Sequence, residues 1–206
     1  MSVKYPIISL ILLAALAALL ASAQEKPKVD ASKAGGTPSV LPPPDFGQVA
    51  LSNEAAPRIL NKSWTLRADI DVPEAGVEGM IATHGGLVGG YGLYVRDGKP
   101  TFVYNYLALD RFTFTGQEPL PKGKVQLEVD VAYAGGSGAL GNGAAVTMLV
   151  NGKTVAHGQL RKTIPNQISL GEGFDVGMDR GSAVDATYKL PFTFTGTIEK
   201  VTVELK

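Results

Sequence analysis

From Trp64 the chain alternates apolar and polar positions with a period of two. Trp64, Leu66, Ala68 and Ile70 fall on one face, and Thr65, Arg67, Asp69 and Asp71 on the other, the pattern of a strand half buried against a core. Val125, Leu127, Val129 and Val131 alternate with Gln126, Glu128 and Asp130 in the same way. Two apolar runs, Tyr91 to Arg96 and Pro100 to Tyr106, flank Asp97-Gly98, and two more, Val146 to Val150 and Thr154 to Leu160, flank Asn151-Gly152. Both dipeptides tolerate the positive φ that a type I′ turn requires, so each pair of runs is predicted to be a hairpin. Gly79 to Thr83, Arg111 to Thr115, Phe174 to Met178 and Gly196 to Leu205 complete about ten short strands with no convincing helix. In the last run Ile198 is out of phase with Val201, Val203 and Leu205, which predicts a bulge near Glu199-Lys200. So many strand edges are managed by packing two sheets or closing a barrel, and the expectation is an all-β, two-sheet antiparallel sandwich of jelly-roll type.

The segments outside this pattern divide the chain. Lys4, the apolar run Ile7 to Leu20 and the small residues Ala21-Ser22-Ala23 predict a cleaved signal peptide over 1–23, and hence a periplasmic or secreted protein. The apolar run is shorter than the ~20 residues of a membrane span. Gln24 to Phe46 is rich in Pro, Lys, Gly and Ser and reads as a flexible tether stiffened at Pro42-Pro43-Pro44, with the domain boundary set at 24–57 for the tether and 58–206 for the sandwich. Gly135 to Gly143 is expected to be a mobile surface loop.

Charge and composition remove several functions. Nineteen basic and nineteen acidic residues cancel with no long run of either sign, which argues against nucleic acid as a partner. Cys is absent, so neither a disulfide nor a thiolate site is available. His84 and His157 are the only histidines and have no zinc-ligand spacing; no Gly-x-Ser-x-Gly elbow occurs. The glycine pairs around Leu87-Val88 lack the helix and the Lys-Ser/Thr of a phosphate loop.

The strings GGYGLYVRDGKPTFVYNYLALDRFTFTGQEPLPKGK, GNGAAVTMLVNGKTVAHGQL, FDVGMDRGSAV and PFTFTGTIEKVTVELK, spread over Trp64 to Lys206, resemble the carboxy-terminal β-domain of bacterial arylsulfatases. That resemblance implies a concanavalin A-like or laminin-G-like sandwich. The family's catalytic signature, Cys/Ser-x-Pro-x-Arg, has no counterpart here: Ala55-Ala56-Pro57-Arg58 is the nearest string, and alanine has no atom to oxidise. A non-catalytic module is therefore expected, recognising carbohydrate, sulfated glycan included, or packing as an accessory subunit on a separate sulfatase or envelope protein. For a sugar, Trp64, Phe102, Tyr104 and Tyr106 offer flat faces and Asn105 and Arg111 offer hydrogen bonds, although the same strand aromatics serve equally as core. Asn105 points away from its neighbours Tyr104 and Tyr106, so the three do not line one concavity. Asp175, Asp179 and Arg180 form the sharpest polar cluster. The two aspartates are candidate calcium ligands, though calcium takes about six to eight oxygens and turn capping explains them as well. A third reading, glycoside hydrolysis, rests on Glu128 and Asp130 sharing one strand face. Export makes one prediction: amino-terminal sequencing of the protein recovered from the periplasm or medium should begin at Gln24, and an intact Met1 on recovered protein would contradict it.

Overall fold

The computed structural model describes residues 49–136 and 141–206. Thirteen strands, with no helix among the described residues, form two sheets. The five-stranded sheet runs β13 (Thr197–Leu205), β2 (Trp64–Val72), β7 (Gly123–Tyr133), β8 (Ala144–Val150), β9 (Lys153–Leu160), all antiparallel. The eight-stranded sheet runs β1 (Val49–Leu51), β10 (Phe174–Val176), β3 (Gly79–Gly86), β4 (Gly89–Arg96), β5 (Lys99–Tyr106), β6 (Asp110–Thr115). A side ladder of β11 (Met178–Asp179) and β12 (Phe192–Thr193) joins it where β12 lies parallel to β3.

The alternation along β2 and β7 holds except at Thr65, which is buried on the outer face where its hydroxyl donates to Asp130. Trp64, Leu66, Ala68, Ile70 and Val72 are buried, and they face Val125, Leu127, Val129 and Val131 across the ladder in register. Between the sheets Trp64 lies 4.9 Å from Tyr91, centroid to centroid, and Phe102 stacks on Phe114 at 6.2 Å. Asp97 and Gly98 have φ of 51° and 73°, and Asn151 and Gly152 have 49° and 76°, so both predicted hairpin turns form as expected. The bulge in β13 falls between Ile198 and Lys200.

Strands β3, β4 and β5 are buried along nearly every residue, which the period-two reading does not anticipate. The cause is a second cover. On the side of the eight-stranded sheet away from the core, the segment 180–194 packs Val184, Tyr188 and Phe192 onto Met80, Tyr94 and Val103. Gly92 makes that approach possible: a β-carbon there would stand 3.0 Å from Val184 Cγ1 and 3.2 Å from the methyl of Met80.

Three boundaries differ from expectation. The sandwich begins before residue 58: β1 pairs with β10, and Ala56 and Ile59 are buried. A three-residue edge strand is too short to show a period, so composition alone assigned it to the tether. The expected single strand Phe174 to Met178 is broken at Gly177, whose φ of 82° turns the chain from β10 into β11. β12, two residues long, carries no sequence pattern. The predicted signal peptide, the tether up to residue 48 and residues 137–140 of the glycine-rich loop lie outside the described residues.

Candidate functional site: an apolar loop end

Three connections meet at one end of the sandwich: the β3–β4 turn, the β5–β6 turn and the long loop after β9. Gly89 marks the junction, because a β-carbon there would lie 3.1 Å from the Ile168 carbonyl, 3.2 Å from Ile164 and 3.7 Å from Leu107. These connections carry Leu87, Val88, Leu107, Leu109 and Leu170, which are five of the six large hydrophobic side chains exposed among the described residues. Leu109 and Leu170 are 78% and 86% exposed. Single exposed leucines are ordinary on a monomer; five large apolar side chains on connections that meet at one end make this end the candidate site.

The β5–β6 turn is held in an unusual conformation. Leu107 and Ala108 have φ of 54° and 58°, the left-handed pair of a type I′ turn that Asn-Gly normally supplies. For residues with a β-carbon this conformation costs about 1–2 kcal/mol each. Asn105 holds it in place. Its fully buried amide donates to the carbonyls of Gly86 (2.8 Å) and Leu87 (3.0 Å), while its Oδ1 accepts from the Ala108 N–H (3.0 Å). One side chain thus joins the two turns, and the ladder Asn105–Arg111 continues beyond it. From the other side the Leu87 N–H donates to Ser182 Oγ (2.8 Å), whose hydroxyl donates to Glu172 (2.6 Å).

This placement corrects several sequence expectations. Trp64, Phe102, Tyr104 and Tyr106 are buried in the core between the sheets, because strand aromatics sit on its inner face, so none presents a flat face to a sugar. Asn105 does point away from Tyr104, as its alternation requires, but it faces backbone and not solvent. Arg111 is exposed and its Nε reaches the Val184 carbonyl at 3.4 Å. Asp175 pairs with Arg180 at 3.1 Å, and Asp179, 1% exposed, accepts a hydrogen bond from the Tyr188 hydroxyl. The two carboxylates are committed to different partners, and no group of three or more His, Asp or Glu among the described residues is placed to hold a metal ion. Glu128 and Asp130 lie on the open face of the five-stranded sheet. Glu128 pairs with Arg67 at 2.6 Å, while Asp130 accepts from Thr65 at 2.8 Å and pairs with Lys206. Both carboxylates are thus engaged by side chains of their own sheet.

What the sequence reading missed is the loop end itself. Leu107-Ala108-Leu109 carries no turn residue, and exposure at the tips of three separate connections becomes visible only after folding.

No family model matches this chain, and no curated protein matches it. Solved structures do. Domains LG4-5 of the mouse laminin alpha1 chain superpose with a TM-score of 0.56 at 11% identity over 78% of this chain and 40% of that one. The LG1-3 region of the laminin alpha2 chain does so with a TM-score of 0.51 at 12% identity, over 77% and 30%. The Ruminococcus gnavus IT-sialidase CBM40 bound to alpha2,3 sialyllactose gives 0.46 at 13% identity, over 70% and 76%. The chain spans less than half the length of the two laminin fragments. At these identities the likeness defines the fold, a laminin-G-like sandwich, as the sequence led us to expect. The likeness extends to the sandwich and not to the arylsulfatase domain in particular, which none of the comparisons finds.

Two buried titratable groups predict opposed pH dependences. Burial pushes Asp179 up to about 6 from an ordinary 3.8, so its ionisation, and the loss of stability that goes with it, sets in between about pH 4 and 6 as pH rises. Burial pushes His84 down to about 4 from 6.5, so the stability its neutral form contributes is full above about pH 6.5 and is lost as pH falls towards 4. Each window spans at most about 3.5 kcal/mol. Denaturant midpoints measured from pH 4 to pH 8 should show Asp179→Asn gaining stability mainly above pH 6 and His84→Asn losing the acid-side fall. Identical pH profiles for the variants and the parent would contradict both assignments.

Proposed function

We propose that this chain is an exported, non-catalytic docking module that joins a partner protein through its apolar loop end. The observation that carries the reading is the gathering of Leu87, Val88, Leu107, Leu109 and Leu170 on connections pinned by one buried asparagine, with a left-handed Leu-Ala pair at the tip. A turn that keeps Leu and Ala where Asn-Gly would relieve strain gives up stability, and strain of this kind collects where a surface has work to do. The sequence resemblance supplies the partner's class, a separately encoded sulfatase catalytic domain of the same compartment. Carbohydrate recognition is the other function expected from the sequence, and among the described residues only the half-buried Phe112, Tyr133, Tyr188 and Phe192 are aromatic side chains not fully buried.

Two double variants separate the readings. Leu109→Asp with Leu170→Asp alters only exposed side chains, so stability should stay within about 0.5 kcal/mol, while binding to the co-expressed sulfatase, read by surface plasmon resonance, should fall at least about tenfold. Leu107→Asn with Ala108→Gly should stabilise the fold by roughly 1 kcal/mol and weaken the same binding. Sulfatase binding untouched by both pairs would overturn the docking surface, and saturable binding to neutral or sulfated glycans would favour the carbohydrate module instead.

A further inference from the structure

Among the described residues the sandwich is closed on one side and open on the other. At the closed side β6 and β9, the terminal strands of the two sheets, meet through side chains: the Phe114 ring lies where a β-carbon of Gly158 would stand, and Arg161 bonds Asp110 at 2.7 Å with its guanidinium 5.6 Å over Phe112. At the open side the eight-stranded sheet ends in the three-residue β1, and the five-stranded sheet ends in β13, nine residues long and paired among the described residues only with β2. A long edge strand presents a row of unpaired backbone groups, which proteins blunt with bulges, edge Lys, inward charges or Pro. β13 carries a bulge and Lys200 at its start, but from Val201 on it has no Pro and no inward charge: its inward positions are Val201, Val203 and Leu205, with the valines half-buried and Leu205 42% exposed.

The polarity of this edge follows from one hydrogen bond. The Lys206 N–H donates to the Ser63 carbonyl on the β2 side at 2.8 Å. Backbone groups alternate along a strand, and β13 is regular from Lys200 on, so Thr202 and Glu204 also turn their N–H and C=O towards β2. Val201, Val203 and Leu205 turn theirs to the open edge.

We propose that β13 pairs antiparallel with β13 of a second copy about a two-fold axis at Thr202, joining the two five-stranded sheets into one. In this register Val201 exchanges both backbone hydrogen bonds with the partner's Val203, and Val203 with the partner's Val201. Their side chains meet on the inward face. On the outward face Lys200, which makes no ion pair among the described residues, stands opposite the partner's Glu204. The two-fold axis repeats that contact, as an isologous interface requires. Neighbouring registers lose this match. An axis at Val201 sets Lys200 against Thr202, and an axis at Val203 sets Lys200 against Lys206. Only the axis at Thr202 satisfies backbone, apolar and charged positions together.

Sedimentation of the full chain between about 1 and about 100 µM tests the pairing, and a chain without Cys allows a covalent readout. Facing residues in a non-hydrogen-bonded antiparallel pair have Cα atoms about 4.5 Å apart, within disulfide reach. Thr202→Cys should therefore yield a disulfide-linked dimer on mild oxidation, whereas Lys200→Cys, which faces the partner's Glu204, should not. The parent should pass from monomer to dimer mass across the concentration range. Val203→Pro removes an edge N–H while leaving the bonds to β2, and it should weaken dimerisation at least tenfold. A parent that stays monomeric, cysteines that link equally at 200 and 202, or a dimer indifferent to a folded Val203→Pro would each overturn the proposal. Should Val203→Pro fail to fold, the two cysteine variants decide alone.

Discussion

The amide of Asn105 is the constraint on which the loop end depends. It is fully buried, so each of its polar atoms must find a partner or cost roughly 1–3 kcal/mol. The partners it finds are the backbone groups of two different turns. That single residue fixes the distance between the β3–β4 and β5–β6 connections, offsets the left-handed strain at Leu107 and Ala108, and sets which side chains face outwards. The exposed leucines are the consequence of a rigid backbone below them.

Below the loop end no disulfide contributes, and packing carries most of the weight. The two sheets bury one aromatic and aliphatic layer between them, and the 180–194 segment adds a smaller one on the far side of the eight-stranded sheet. Covering that sheet on both faces explains how it accepts Tyr94, Val103 and Met80 on what would otherwise be a solvent face. It also explains the polar links beneath the cover. The Tyr94 hydroxyl donates to Asp185 (2.8 Å), and the Tyr188 hydroxyl donates to Asp179, so the buried carboxylates are satisfied from within. The same cover occupies Asp179, the residue the sequence suggested for a cation.

Legibility followed periodicity. Strands with one wet face, β2 and β7, declare themselves by alternation, and the two Asx-Gly hairpins by the positive φ their residues tolerate. The bulge in β13 was visible as a phase slip at Ile198. Strands of two or three residues, such as β1 and β12, offer no period to read. The double burial of β3 to β5 depends on a segment about ninety residues away in sequence. Strand aromatics fit a core and a ligand platform equally well by pattern, and only tertiary placement separates the two. Alternation places Asn105 on the face opposite Tyr104, yet its role lies in turn backbone that no spacing rule connects to it.

Hydrogen exchange on Asn105→Ala tests the account most directly. The variant should lose protection at the Ala108 amide and in the β3–β4 turn, while the paired amides of β2 and β7 exchange as in the parent. Unchanged protection at Ala108 would contradict the claim that Asn105 holds the loop end, and a uniform loss across both sheets would show its role to be general packing instead.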